Sequence, residues 1–121
     1  MKRAILLVDH GSRRADANAH LALVADAVRA RIPDETVEIA HMEIAEPTIA
    51  QGIARCVESG AQLIIVHPYF LGPGRHTRES IPGLVDAAAR DHPGLTIRIS
   101  EPLGLHTGLI DAVLDRIGEI T

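Results

Sequence analysis

Residues 63–82, LIIVHPYFLGPGRHTRESIP, join an apolar strand to a helix through a loop rich in reactive side chains. Residues 63–66 form a continuous apolar run, which is typical of a strand covered on both faces. Residues 67–82 combine prolines and glycines, which fix backbone shape, with histidine, arginine and glutamate. A loop of this composition after a buried strand predicts a functional site.

The rest of the chain repeats the unit of strand followed by helix. Residues 4–8 form a second apolar strand, whereas residues 36–41 and 95–100 alternate in polarity, as edge strands do. Each strand is followed by apolar residues at helical spacing. These are Leu21, Val24, Ala25, Val28 and Ile32; Ile49, Ile53, Cys56 and Val57; Ile81, Leu84, Val85 and Ala88; and Leu109, Ile110, Val113, Leu114 and Ile117.

The order βαβαβαβα predicts one three-layer α/β domain over residues 1–121. With right-handed crossovers and the two apolar strands in the centre, the parallel sheet has the order 2-1-3-4. Thr48 and Gln51 form a T-x-x-Q capping box that predicts the start of the second helix, and Gly60 is suited to its end. Either Thr77 or Ser80 is suited to begin the third.

Composition excludes several classes of function. A net charge of −4 and an aromatic content of 2% argue against a general nucleic-acid binder. The apolar runs are too short to cross a bilayer, and Met1 is followed almost directly by a strand rather than a signal peptide, so we expect a cytoplasmic protein. The single cysteine, Cys56, excludes an internal disulfide and a cysteine-cluster metal site.

Three candidate ligands follow three strands of the predicted sheet. His10 comes after the first strand, Glu43 after the second and His76 after the third. The carboxyl ends of parallel strands meet at one edge, where α/β sheets bind ligands at the switch point of the strand order. Two imidazoles and a carboxylate suit a divalent ion such as iron, cobalt, nickel or zinc. Glu79 is placed to orient His76 or to act as a second base.

Four arginines flank the two histidines. Arg13 and Arg14 follow His10, and Arg75 and Arg78 surround His76. Guanidinium groups bind carboxylates and phosphates in a bidentate way, which predicts an anionic ligand. The alternative is a solvated rim with ordinary helix ends.

The other histidines favour structural roles. His20 and His92 have surface positions, and His67 is as suited to ending its strand as to contacting a ligand. His41 lies on the apolar side of its strand, which suits a buried, hydrogen-bonded histidine. His106 opens the last helix and is also placed to line the same edge of the sheet from the fourth strand.

Four segments resemble the small sirohydrochlorin chelatases of the CbiX/SirB type. They are LLVDHGSRR (6–14), MEIAEPTI (42–49), HPYFLGPGRHTRESIP (67–82) and EPLGLH (101–106). The resemblance implies a flavodoxin-like fold that corresponds to one half of a two-domain chelatase. It also implies ATP-independent insertion of a divalent metal into sirohydrochlorin, for cobalamin or sirohaem synthesis. Cobalt comes first, with iron and nickel as alternatives, and no organic cofactor is expected.

The resemblance also assigns residues. It implies His10, His76 and Glu43 as metal ligands, with the histidines as proton acceptors, and it adds Ser12 of the HGSR motif to the substrate-binding arginines. Longer relatives contain two such domains facing one cleft, which implies a homodimer for a chain with one. Thr107 departs from the family pattern, which usually has proline after the histidine of the last segment.

Two other functions fit parts of this pattern. A metal or tetrapyrrole carrier on the same fold would use the same ligands without catalysis. A histidine phosphatase also has a strand followed by His-Gly, but it places arginine before the histidine, where this chain has Asp9. A carboxylate there would repel the substrate phosphate, so the phosphatase is disfavoured.

Overall fold

The structure, a computed structural model, describes residues 2–72 and 74–121, and for residues 75–78 it describes the backbone only. Strands and helices alternate along the chain. They are β1 (Arg3–Asp9), α1 (Ala15–Arg31), β2 (Thr36–His41), α2 (Ile49–Glu58), β3 (Leu63–Pro68), α3 (Arg75–Ala89), β4 (Thr96–Ile99) and α4 (Thr107–Gly118). The strands form one parallel sheet in the order β2-β1-β3-β4, which confirms the predicted topology.

Alternation along β1 divides the core between the two faces of the sheet. Ala4, Leu6 and Val8 point to the layer of α2 and α3, where the larger apolar cluster lies. Ile5 and Leu7 point to the opposite layer, where they pack with residues of α1. Residues 4–8 of the strand are all apolar because both of its faces are covered.

The predicted helix ends are confirmed in α2 and corrected in α3. Thr48 Oγ1 accepts a hydrogen bond from Gln51 N, and the Gln51 side chain accepts one from Thr48 N, so the capping box is complete. Gly60 has φ +95° at the end of the helix, where glycine meets little steric cost. Helix α3 begins at Arg75 with Gly74 at its N-cap, so Thr77 and Ser80 both lie within it.

Helix α2 lies very close to the sheet at Gly52. A Cβ atom on this residue would lie 2.8 Å from Leu6 Cδ1 and 3.1 Å from Ala40 Cβ. Contacts that short require a neighbour to move, so the packing of α2 on the sheet depends on glycine at this position.

The last helix forms as predicted but lies outside the core. His106 is its N-cap and its Nδ1 accepts a hydrogen bond from Gly108 N. None of the residues of α4 is buried. The exposed aliphatic residues here are Ile110, Val113, Leu114, Ile117 and, just beyond the helix, Ile120. No helix in the described part of the chain combines the length and apolarity needed to span a membrane.

Candidate functional site

A pocket of about 540 Å³ opens where the carboxyl ends of β1 and β2 meet α3. Its walls come from three segments that are distant in sequence. The described lining residues are His10, Met42, Glu43, Glu79, Ser80, Gly83 and Leu84. His10 and Glu43, which the sequence predicts to share one edge of the sheet, therefore line the same pocket.

Backbone hydrogen bonds hold the loops of His10 and Glu43 together. Met42 N donates to Asp9 O at 2.9 Å, and Glu43 N donates to His10 O at 3.1 Å. The approach is possible because Gly11 has no side chain: a Cβ on it would lie 1.9 Å from Glu43 O. Gly11 also has φ +88°, a conformation that residues with a Cβ rarely adopt. The glycine of the His-Gly-Ser motif thus sets the spacing of the two candidate ligands.

Glu43 is followed by a tight turn. Ala45 N donates to Glu43 O at 2.8 Å, which closes a three-residue γ-turn around Ile44. Ile44 has φ +72°, a region that is unfavourable for a β-branched side chain. Strained backbone of this kind is found preferentially where a side chain must be held in a defined place, and here it adjoins the candidate ligand.

A buried histidine is hydrogen-bonded to the residue that precedes His10. His41 is only 2% exposed, and its Nδ1–H donates to Asp9 Oδ1. The same carboxylate oxygen accepts a hydrogen bond from Gly11 N at 3.1 Å. Asp9 therefore links the end of β2 to the turn that carries His10. The sequence hypothesis of a buried, hydrogen-bonded His41 is confirmed, whereas the role of Asp9 was missed because its partner is distant in sequence.

The imidazole of His10 is exposed and rests against an aromatic ring. The ring centroids of His10 and Phe70 are 4.5 Å apart, with an angle of 81° between their planes. This edge-to-face contact restricts the orientation of His10 without using a ring nitrogen. Sequence reasoning passed over Phe70, although its position just after β3 was a usable signal.

The third candidate ligand can be located only by its backbone. His76 lies in the first turn of α3, at the same edge of the sheet as His10, which is the position the sequence predicts. The side chains of Arg75, His76 and Arg78 lie outside the described residues, so their predicted contacts stay predictions. Glu79, predicted to stand behind His76, is described and lines the pocket itself.

The remaining predicted substrate-binding residues lie on the far side of His10. Ser12 lines a shallower depression of about 290 Å³ with Asp9, His10 and Tyr69 among its walls. The loop there is fixed by Asn18, whose Oδ1 accepts from Ser12 N and whose Nδ2 donates to Ser12 O. Arg13 and Arg14 are exposed and line neither cavity, and Arg14 makes an exposed ion pair with Asp16.

Two other titratable groups have structural surroundings. His67 Nδ1 and Ser100 Oγ form a hydrogen bond of 2.8 Å, which ties β3 to the end of β4, and partial burial lowers the pKa of His67. Burial among apolar residues, with a smaller effect of the Glu38 charge, raises the pKa of the Cys56 thiol to about 12. The thiol therefore stays protonated and is a poor metal ligand.

The described side chains do not by themselves complete a metal site. Among them, no group of three or more histidine, cysteine, aspartate and glutamate residues is arranged to hold a metal ion. His10, Glu43 and Glu79 are the potential donors that line the pocket. This donor set is open and accessible, unlike the closed four-ligand set of a structural zinc site.

Comparison with known proteins gives consistent relatives. A family model described as CbiX matches residues 4–120. The chloroplastic sirohydrochlorin ferrochelatase of Arabidopsis thaliana is 43% identical over 113 residues, covering 93% of this chain and 50% of that protein. The sirohydrochlorin cobaltochelatase of Methanococcus maripaludis is 33% identical, covering 93% of this chain and 96% of that protein.

A solved structure agrees in fold. The sirohydrochlorin chelatase SirB from Bacillus subtilis subspecies spizizenii, in complex with cobalt, superposes with a TM-score of 0.91 at 35% identity. The match covers 99% of this chain and 51% of that one. The chain thus spans about half the length of the plant and Bacillus proteins and nearly all of the archaeal one.

Proposed function

The chain belongs to the CbiX family, and from that premise we propose that it inserts a divalent metal ion into sirohydrochlorin without ATP or an organic cofactor. The observation that carries the proposal is the pocket that His10 and Glu43 share at the carboxyl edge of the sheet. It joins an imidazole and a carboxylate at an open site, which is the chemistry that metal transfer to a macrocycle needs.

Insertion requires a partly dehydrated cation and a base. The metal must exchange water for protein ligands before it meets the macrocycle, and two pyrrole N–H groups must lose their protons as it enters. In the proposed mechanism, His10 and His76 first hold the ion through the lone pair of a ring nitrogen. When the ion passes to the macrocycle, that nitrogen is free again and accepts a pyrrole proton. Glu43 supplies a third, anionic ligand that offsets the charge of the cation.

Substrate recognition is assigned to the basic residues and the hydroxyl at this edge. Sirohydrochlorin carries carboxylates around its rim, and Arg13, Arg14, Arg75 and Arg78 are proposed to bind them, together with Ser12. The exposure of Arg13 and Arg14 supports this role, since exposed guanidinium groups can reach a ligand larger than the pocket, and the ion pair of Arg14 with Asp16 is itself exposed.

Cobalt is proposed as the first metal, before iron and nickel. The donor types accept several first-row ions, so they do not decide between them. The support for cobalt is the archaeal relative, which is named a cobaltochelatase, and the cobalt complex of SirB; the plant relative is named a ferrochelatase, which keeps iron as the alternative.

A side-by-side rate measurement tests the proposed function. Sirohydrochlorin should be metallated by Co²⁺, Fe²⁺ and Ni²⁺ much faster with the protein than without it, and fastest with Co²⁺. Stopped-flow absorbance of the macrocycle follows each reaction under anaerobic conditions. Tight stoichiometric binding with no gain in rate would instead identify the carrier, and neither binding nor rate gain would reject both functions.

We also propose that two copies associate through α4. The aliphatic side chains along this helix are 43–60% exposed, and an apolar stripe of that size is unusual on a surface that faces only water. A second copy would cover this stripe, and the two copies would enclose a broad, flat substrate between their two pockets.

Charge placed on this stripe should prevent association. We expect Leu114→Glu to give a monomer at micromolar concentration in analytical ultracentrifugation, because a carboxylate would be buried in an apolar contact. Leu23→Glu is the matched control, since Leu23 is 65% exposed on α1, and it should leave the dimer intact. A monomeric unmodified chain would reject the dimer and favour another domain as the cover of α4.

A further inference from the structure

Gly83 occupies an unfavourable position in α3. It lies in the interior of the helix and directly follows Pro82, so the two residues least suited to a helix are adjacent. Glycine loses more backbone entropy on folding than any residue with a side chain. A feature within the fold or a bound ligand should account for it.

The fold itself gives no reason for this glycine. Outside its own helix backbone, a Cβ on Gly83 would have no neighbour within 4 Å in the described part of the chain, and φ of Gly83 is not positive. Gly52 in α2 is the contrasting case, because a Cβ there would lie 2.8 Å from Leu6 Cδ1. One helical glycine is required by packing against the sheet, and the other is not.

The open space beside Gly83 is the candidate pocket. Gly83 lines it together with Leu84, which is 41% exposed, and Met42 on the opposite loop. A second depression of about 340 Å³ continues from it along the groove between α2 and α3. The two cavities share Met42 and Leu84, so they lie next to each other, and together they are called the trough. The side chains added by the second part are Thr48, Ile49, Ala50, Ala87, Ala88 and Asp91.

We propose that Gly83 determines which substrate shape the pocket accepts. Because Gly83 has no side chain, the surface of α3 is flat there, and one face of a tetrapyrrole lies against the helix. This inference rests on the proposed function. The ring would extend from His10 along the trough, with its carboxylates at the rim and its apolar face on Leu84 and Met42. A planar conjugated ring packs best on a surface that it can approach to about 3.5–4 Å over its whole width.

Adding a side chain at position 83 should therefore change the stability of the protein and its affinity for the substrate in opposite directions. Gly83→Ala removes backbone entropy from the unfolded chain, so its melting temperature should rise by about 2–4 °C. The same methyl group should lift the ring from the helix and raise KM for sirohydrochlorin about threefold to tenfold. Gly83→Leu should raise KM more than tenfold, while the limiting rate changes less than about threefold. A merely structural glycine would not give a more stable protein that binds its substrate less well.

Two controls and one additional readout complete the experiment. Ala27→Leu places the same side chain on the exposed side of α1 and should leave KM unchanged, and Gly52→Ala should lower the melting temperature. Titration with Co²⁺ alone should give the same affinity for Gly83→Leu as for the unmodified chain, because the substitution removes no donor atom from the pocket.

The possible failures are distinguishable. If Gly83→Leu binds sirohydrochlorin as tightly as the unmodified chain, the inference is overturned while the proposed function stands. If Gly83→Leu does not fold, an unchanged KM in the more stable Gly83→Ala has the same consequence. If the unmodified chain does not bind sirohydrochlorin, the proposed function and this inference both fall.

Discussion

Replacing His10 with alanine should slow metal insertion into sirohydrochlorin at least about a hundredfold, because a general base alone contributes 10²–10⁴ to a rate. His10 is also a proposed metal ligand, so its loss removes two contributions at once. The side chain is exposed and its ring touches Phe70 at the pocket, which means that truncation leaves no buried cavity. The melting temperature should therefore change by only a few degrees.

The rate is measured by stopped-flow absorbance with Co²⁺ and sirohydrochlorin, and folding by circular dichroism. His76→Ala should give a loss of similar size. His20→Ala is the matched control, since His20 is exposed on α1 and lines neither of the cavities next to His10. Full turnover by both His10→Ala and His76→Ala would remove these histidines from the mechanism and, with them, the proposed site.

The arrangement of strands was predictable because burial leaves a direct mark on sequence. A central parallel strand is covered on both faces, so β1 and β3 read as continuous apolar runs, and the edge strands β2 and β4 alternate. Together with the handedness of crossovers, this is enough to fix the sheet order. The same reasoning places His10 and Glu43 at one edge, since each follows a strand of known direction.

Other parts of the site depend on contacts between residues that are distant in sequence. The bond between His41 and Asp9 follows from the register of β1 with β2, which pairs these two residues. The start of α3 was misplaced because Thr77 and Ser80 are strong capping types, yet the helix begins at Arg75 after Gly74. Local preference was outweighed there by a wider structural context that a sequence pattern does not contain.

Helix α4 illustrates a different limit. Its apolar spacing predicts the helix correctly, because periodicity reports which residues share a face. It does not report what covers that face, and here Val113 and Leu114 are at least half exposed. The pattern is therefore consistent with a surface that is buried only when another chain or domain is present, which is the basis of the proposed association.

Gly11→Ala is expected to have the second large effect, on stability and on activity together. The substitution forces a side chain into φ +88°, at about 1–2 kcal/mol, and overpacks a site where Cβ would lie 1.9 Å from Glu43 O, at about 1–3 kcal/mol more. Relief requires the loops of His10 and Glu43 to separate, which breaks the hydrogen bond from Glu43 N to His10 O. Because the candidate ligands would move apart, metal insertion should fall at least about tenfold in the protein that remains folded.

Gly94→Ala separates the two causes. Gly94 also has φ +88°, but a Cβ on it would have no neighbour within 4 Å in the described part of the chain, apart from the two adjacent residues. This variant should lose only the conformational part, about 1–2 kcal/mol, and should keep its activity. Urea unfolding gives the free energy of each variant, and the insertion rate is corrected for the folded fraction. Equal losses of stability in the two variants, with activity retained in both, would show that close packing of Gly11 on the Glu43 loop is not what holds the site together.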